Sequence, residues 1–152
     1  MTRKMIMKLM NTLYWELPVN WDWFCKHAEL FKKVDKKTSK ELSKKYNCKV
    51  CECYHNTFIS DFRGRYRYFE GYVIDNNLPT MAHSWLVDRS SGKVIDPTLI
   101  IDVGEMVNRC GDCYFGIEIP RDWLKKTALE LGRTGPFITE YYNYKKEKTD
   151  LK

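Results

Sequence analysis

Apolar and polar positions divide the chain into an early helical part, a central block of strands and a late helix. Behind Asn20, the side chains of Phe24, Ala28 and Phe31 recur at helical spacing with Lys26, Lys32 and Lys33 outside, which predicts a helix capped by Asn20. A second, weaker helix is expected from Ser39 to Tyr46. The stretch CKVCECYHNTFISDFRG passes from a Cys-dense segment into a short helix that starts near Cys53 and is ended by Gly64. From Tyr66 to Ile74 the residues are aromatic and β-branched, the pattern of a strand, which Asn76 and Asn77 turn. The segments MAHSWLVD and KVID, joined by DRSSG, read as a hairpin, and CYFGIEI is a further strand. Pro120 then opens a helix with Leu124, Ala128 and Leu131 on one face and Gly132 at its end. From about residue 139 a polar tail is expected, with Tyr141, Tyr142 and Tyr144 able to dock on the body.

This order predicts one α+β domain over residues 1–152: N-terminal helices, a central antiparallel sheet of roughly four strands, a helix carrying Cys53, and a closing helix. Apolar residues make up 43% and charged residues 30%, which argues against global disorder. The opening MTRKMIMKLMNTLYW is broken by Lys4, Lys8 and Asn11, so neither a membrane span nor an export signal is expected. The expected compartment is therefore the cytoplasm, where six cysteines read as thiols, metal ligands or a nucleophile rather than as disulfides. The net charge of +6 comes largely from KKVDKKTSKELSKKY and KKEK, runs that normally form solvated faces.

Chemistry enters with Cys53, His83 and Asp96. A cysteine attacks a carbonyl as thiolate, which needs an adjacent imidazole and gains from the positive end of a helix dipole. Cys53 at a helix start meets the second condition, and a hairpin lets His83 on one strand face Asp96 on the next. The run AHSWLVDRSSGKVIDPT resembles the His and Asp strands of the transglutaminase-like and papain-like cysteine superfamily. With CYHNT, RYFEGYVI and YFGIEIPRDWL, the stretch Cys51 to Leu124 is similar to a group of small bacteriophage proteins of that kind. The resemblance implies a papain/transglutaminase-like core and a Cys-His-Asp triad with Cys53 as nucleophile, His83 as base and Asp96 as orienting carboxylate. It also implies acyl transfer on a protein or small-molecule substrate, of the host cell if the chain is phage-encoded. Papain-like enzymes often place a Gln before the nucleophile as oxyanion donor; this chain has no Gln, so either a backbone amide such as that of Cys53 takes over or catalysis is weak. Tyr54, Asn56 and Trp85 are candidate substrate contacts by proximity in sequence.

Other constellations compete. Cys48-Lys-Val-Cys51 and Cys110-Gly-Asp-Cys113 are two Cys-x-x-Cys pairs of the kind that hold structural zinc, and would leave Cys53 and His83 free. Their separation is far longer than the usual ~15 to 20 residues, so no cofactor is the favoured expectation. His55-Asn56-Thr57 matches half of a two-histidine phosphoesterase pattern, whose second copy neither His27 nor His83 supplies. Arg63, Arg65 and Arg67 alternate with Tyr66, Tyr68 and Phe69 as in some single-strand nucleic-acid binders, but any half-buried strand gives that alternation. Nucleic acid and membrane are not the expected partners. The alternative from another class is a non-catalytic protein that uses the same pocket to capture a host protein, small ligand or nucleic acid.

Overall fold

The alternation in the middle of the chain is realised as an antiparallel sheet. In the computed structural model, which describes residues 19–75, 78–101, 111 and 113–150, the elements are α1 (Trp21–His27), β1 (Glu29–Phe31), α2 (Lys36–Lys45) and α3 (Cys53–Ser60), followed by β2 (Arg67–Asp75), β3 (Leu78–Val87), β4 (Val94–Ile95), β5 (Cys113–Glu118), α4 (Arg121–Leu131) and α5 (Ile138–Asp150). The strands form one sheet in the order β1-β5-β2-β3-β4, every pair antiparallel. The architecture is thus mixed α+β. Among the described residues no helix is long and apolar enough to cross a membrane.

Alternate side chains go to opposite faces of the sheet. Phe69, Val73, Trp85, Val87, Val94 and Tyr114 pack on one face. Tyr68, Tyr72, Leu86, Phe115 and Ile117 pack on the other, against Phe24, Leu124 and Phe137 from the helical side. Gly71 and Gly116 oppose each other in register. A Cβ on Gly116 would lie 2.5 Å from the Trp85 indole, and one on Gly71 would lie 2.3 Å from the Phe115 carbonyl oxygen. Gly116 therefore leaves the space that the wholly buried Trp85 ring fills, and Gly71 lets the β5 backbone approach closely.

The β3–β4 hairpin forms as its turn residues predict. Asp88 N–H donates to the Lys93 carbonyl at 3.0 Å and Gly92 takes a φ of 65°. Asp88 Oδ2 accepts both serine hydroxyls and the Ser91 N–H, which hold its carboxyl down at about 2. Asn20 caps α1, accepting from Trp23 N–H at 2.9 Å. The turn assigned to Asn76 and Asn77 lies outside the described residues.

Four expectations are revised. The first helix ends at His27: Ala28 closes its last bond to the Phe24 carbonyl and turns extended, and Phe31 lies in β1 opposite Tyr114, completing the edge of β5. α2 starts before Ser39 because Asp35 caps it, accepting from Thr38 N–H at 3.0 Å and Thr38 Oγ1 at 2.9 Å. α3 stops at Ser60, ahead of Gly64, because the Asp61 carboxylate captures the N–H groups of Arg65 and Tyr66 and turns the chain. The expected polar tail is the helix α5, seated by Tyr141 and Tyr144 on Trp123 of α4 with ring centroids 5.1 and 5.8 Å apart.

Candidate active site

Asp96 follows directly on β4, where Pro97 ends the pairing and lets the carboxylate turn inward. It is fully buried and every oxygen is engaged. Oδ1 accepts the N–H groups of Thr98 and Leu99, both at 3.0 Å. Oδ2 lies 2.9 Å from His83 Nε2 and accepts the Tyr114 hydroxyl at 2.9 Å. The backbone is pinned as well: Asp96 N–H donates to Ser39 Oγ at 2.9 Å, and that hydroxyl donates to the Asp35 carbonyl at 2.7 Å. α2 thereby sets the height of the carboxylate, and β5 supplies the Tyr114 hydroxyl.

His83 points from β3 and is buried, opposite Gly71 in the register. The Cys53 side chain lies close enough to act on the same imidazole, favouring its protonated form together with Asp96. With Nε2 given to Asp96, the ring nitrogen left for the thiol is Nδ1. Burial alone would push the imidazole down, but the Asp96 carboxylate and the Cys53 side chain together push it up to about 10. Asp96 is held below the usual carboxylate range although burial opposes this, because the His83 cation, the Leu99 N–H and the Tyr114 hydroxyl all favour its charged form. The three residues singled out in the sequence are thus brought together.

Cys53 is the first residue of α3 and partly exposed. α3 is docked beside β3 by Thr57 Oγ1, which donates to the Ser84 carbonyl at 3.1 Å. Glu52 makes no side-chain cap, so no carboxylate competes for the amides of the first turn. An oxygen brought against that turn would meet backbone N–H groups at the positive end of the helix.

The three candidate substrate contacts separate. Asn56 is buried and spent on architecture: its amide donates to the Lys49 carbonyl at 2.6 Å and to Thr98 Oγ1 at 3.0 Å, and its Oδ1 accepts Lys49 N–H at 3.1 Å. Trp85 is wholly buried, edge-on to Tyr114 with centroids 5.2 Å apart, so it supports the ring behind Asp96 instead of meeting a ligand. Tyr54 is half-buried beside Gly135, where an added Cβ would lie 3.0 Å from its own, and burial pushes its phenol above the ordinary value. Of the three, only Tyr54 has surface to offer. Ser39, Thr98 and Tyr114 complete the site; Thr98 stands in the Asp-Pro-Thr run, whereas Ser39 and Tyr114 lie in segments with no chemical motif of their own.

Of the cysteines considered for zinc, Cys48 is half-buried with its sulfur 3.7 Å from Ser60 Oγ, and desolvation pushes its thiol up. Cys51 is exposed at a φ of 64°, Cys113 is buried in β5, and Cys110 lies outside the described residues. Among the described residues no group of three or more His, Cys, Asp and Glu side chains could hold a metal ion. His55 is exposed on α3. Arg67 is taken up by Glu118, at 2.8 and 3.0 Å, and by Glu29, and its neighbours Tyr66, Tyr68 and Phe69 are core residues with no exposed face for stacking bases.

Compared with known protein families, curated proteins and solved structures, the chain matches none of them.

Proposed function

We propose that the protein is a cysteine-dependent acyl-transfer enzyme, a hydrolase of the peptidase or amidase kind or a transglutaminase-like transferase, on a core related to the papain and transglutaminase folds. The observation that carries this reading is a buried imidazole 2.9 Å from a fully buried carboxylate and within electrostatic reach of a thiol at a helix start. His83 takes the Cys53 proton, and the resulting imidazolium and the α3 dipole both favour the sulfur anion. The sulfur attacks the carbonyl carbon of an amide, ester or thioester, the bond to the leaving group breaks, and that group departs with the His83 proton. Water or an amine, deprotonated by His83, then releases the acyl group. The backbone N–H of Cys53 takes the oxyanion role for which the chain has no Gln. The resemblance to bacteriophage proteins puts the substrate among protein or small-molecule acyl donors of a host cytoplasm.

The test is covalent trapping. Mixed with p-nitrophenyl acetate, the protein is expected to release a burst of about one equivalent of nitrophenolate, with the acetyl group found by mass spectrometry on Cys53. Cys53→Ala should abolish both signals. Acetylation spread without preference over the six cysteines overturns the proposal. Capture of a partner protein that survives Cys53→Ala, with no acyl adduct, favours the non-catalytic binding alternative.

A further inference from the structure

Asp96 Oδ2 is shared, and the sharing has a chemical use. Its two donors differ in kind: His83 Nε2 belongs to the ring whose other nitrogen, Nδ1, must exchange the proton with the thiol, whereas the Tyr114 hydroxyl has no step to perform. The Tyr114 oxygen accepts Gly111 N–H at 3.1 Å, which leaves its single proton for Asp96. Its ring is held by Trp85 at a centroid distance of 5.2 Å and an interplanar angle of 63°. Both rings are fully buried, and Trp85 owes its place to the absent side chain at Gly116. The opposite oxygen, Oδ1, stays anchored by Thr98 and Leu99 whatever happens at Oδ2.

We infer that Tyr114 is a positioning residue that tempers the Asp96–His83 pair, drawing off part of the carboxylate charge so that the imidazolium can release its proton to a leaving group. The inference rests on the acyl-transfer reading. Two requirements on His83 conflict: a strong carboxylate partner favours the imidazolium beside the sulfur anion, but an imidazolium held too firmly is a poor general acid. A hydroxyl donating to the same oxygen weakens that hold without moving the carboxylate, since two backbone N–H groups fix Oδ1. The titratable groups acting on His83 are Asp96 and Cys53; those acting on Asp96 are His83 and Tyr114, and Cys48 is near enough to feel its charge.

Tyr114→Phe removes one oxygen and keeps the ring. In a Cys53→Ala background, the ring-nitrogen NMR titration of His83 is expected to move upward by about one pH unit when Tyr114→Phe is added, the shift one hydrogen bond to a charged group makes. With Cys53 in place, Tyr114→Phe should slow acylation by an anilide about tenfold relative to a p-nitrophenyl ester, because nitrophenolate departs without a proton and an aniline does not. Trp85→Phe, which disturbs the packing but keeps the hydroxyl, should lower thermal stability and leave the ester-to-anilide ratio as in wild type. An unmoved or lowered His83 titration in Tyr114→Phe overturns the inference, as does an unchanged ester-to-anilide ratio. Absence of any acyl-Cys53 in wild type, with the His83 titration still raised by Tyr114→Phe, sinks the acyl-transfer reading and leaves the coupling of Tyr114 to the pair standing.

Discussion

Two buried carboxylates on the same sheet meet opposite fates. Glu70 opposes Ser84 in the β2–β3 register, one position from the Gly71–His83 pair, so it projects to the other face. It is as buried as Asp96 and as well supplied with donors: Oε2 accepts the N–H groups of Phe137 and Ile138 at 2.7 and 2.8 Å, and Oε1 accepts the Tyr68 hydroxyl at 2.9 Å. Yet burial pushes Glu70 up to about 7, whereas Asp96 is held low. Every donor to Glu70 is neutral, while Asp96 faces an imidazole that can carry a full charge. Hydrogen bonds alone do not offset the desolvation of a carboxylate here; a cation does. Glu70 accordingly anchors the start of α5, and Asp96 holds the ring of His83.

The comparison breaks most severely at Asp96→Asn. The amide keeps the shape and loses the charge, so the imidazole loses its preferred tautomer and its reason to hold a proton. The acylation rate of Cys53 by p-nitrophenyl acetate is expected to fall by about four orders of magnitude, the cost of misorienting a catalytic imidazole in this way. A loss below about tenfold would show that Asp96 does no more for His83 than Glu70 does for α5. Glu70→Ala is next. It leaves two backbone N–H groups and a phenol without their acceptor and should cost about 3 kcal/mol in urea unfolding, with Cys53 alkylation of the folded protein nearly unchanged.

The smallest effects are slopes of stability against pH. Glu70 is raised from 4.5 to about 7, so its contribution is complete below pH 4.5 and is lost as pH rises through 7. His83 is raised from 6.5 to about 10, so its contribution is complete below pH 6.5 and is lost as pH rises through 10. Urea midpoints measured across both windows should fall in two separable stages. Glu70→Gln should flatten only the first stage, and Asp96→Asn only the second. A single stage that responds to both substitutions would mean the two carboxylates are not independent.

Much of this arrangement is legible in one dimension. The Asp88–Gly92 turn, the Asn20 cap, the Pro120 start of α4 and the position of Cys53 at the head of α3 each depend on residues within a few positions of one another. The pairing of His83 with Asp96 was within reach because one short hairpin joins them. β1 and α5 were not. Residues 28–31 have helical spacing, and what turns them into a strand is the open edge of β5, more than 80 positions away. α5 carries few apolar residues and is seated by Trp123 and by a carboxylate from β2.

Local order, then, was written in periodicity and turn chemistry: which central segments are strands, where α1, α3 and α4 begin, and that a thiol, an imidazole and a carboxylate follow in that order. Tertiary structure alone decided what each polar group is worth. Nothing along the chain shows that Asp96 shares an oxygen with Tyr114 and takes its backbone support from Ser39, that Asn56 and Trp85 are interior, or that Glu70 holds Phe137. Those contacts join residues 18, 57 and 67 positions apart. The strength of a charge depends on burial and on the partners that burial brings, and both are properties of the folded interior.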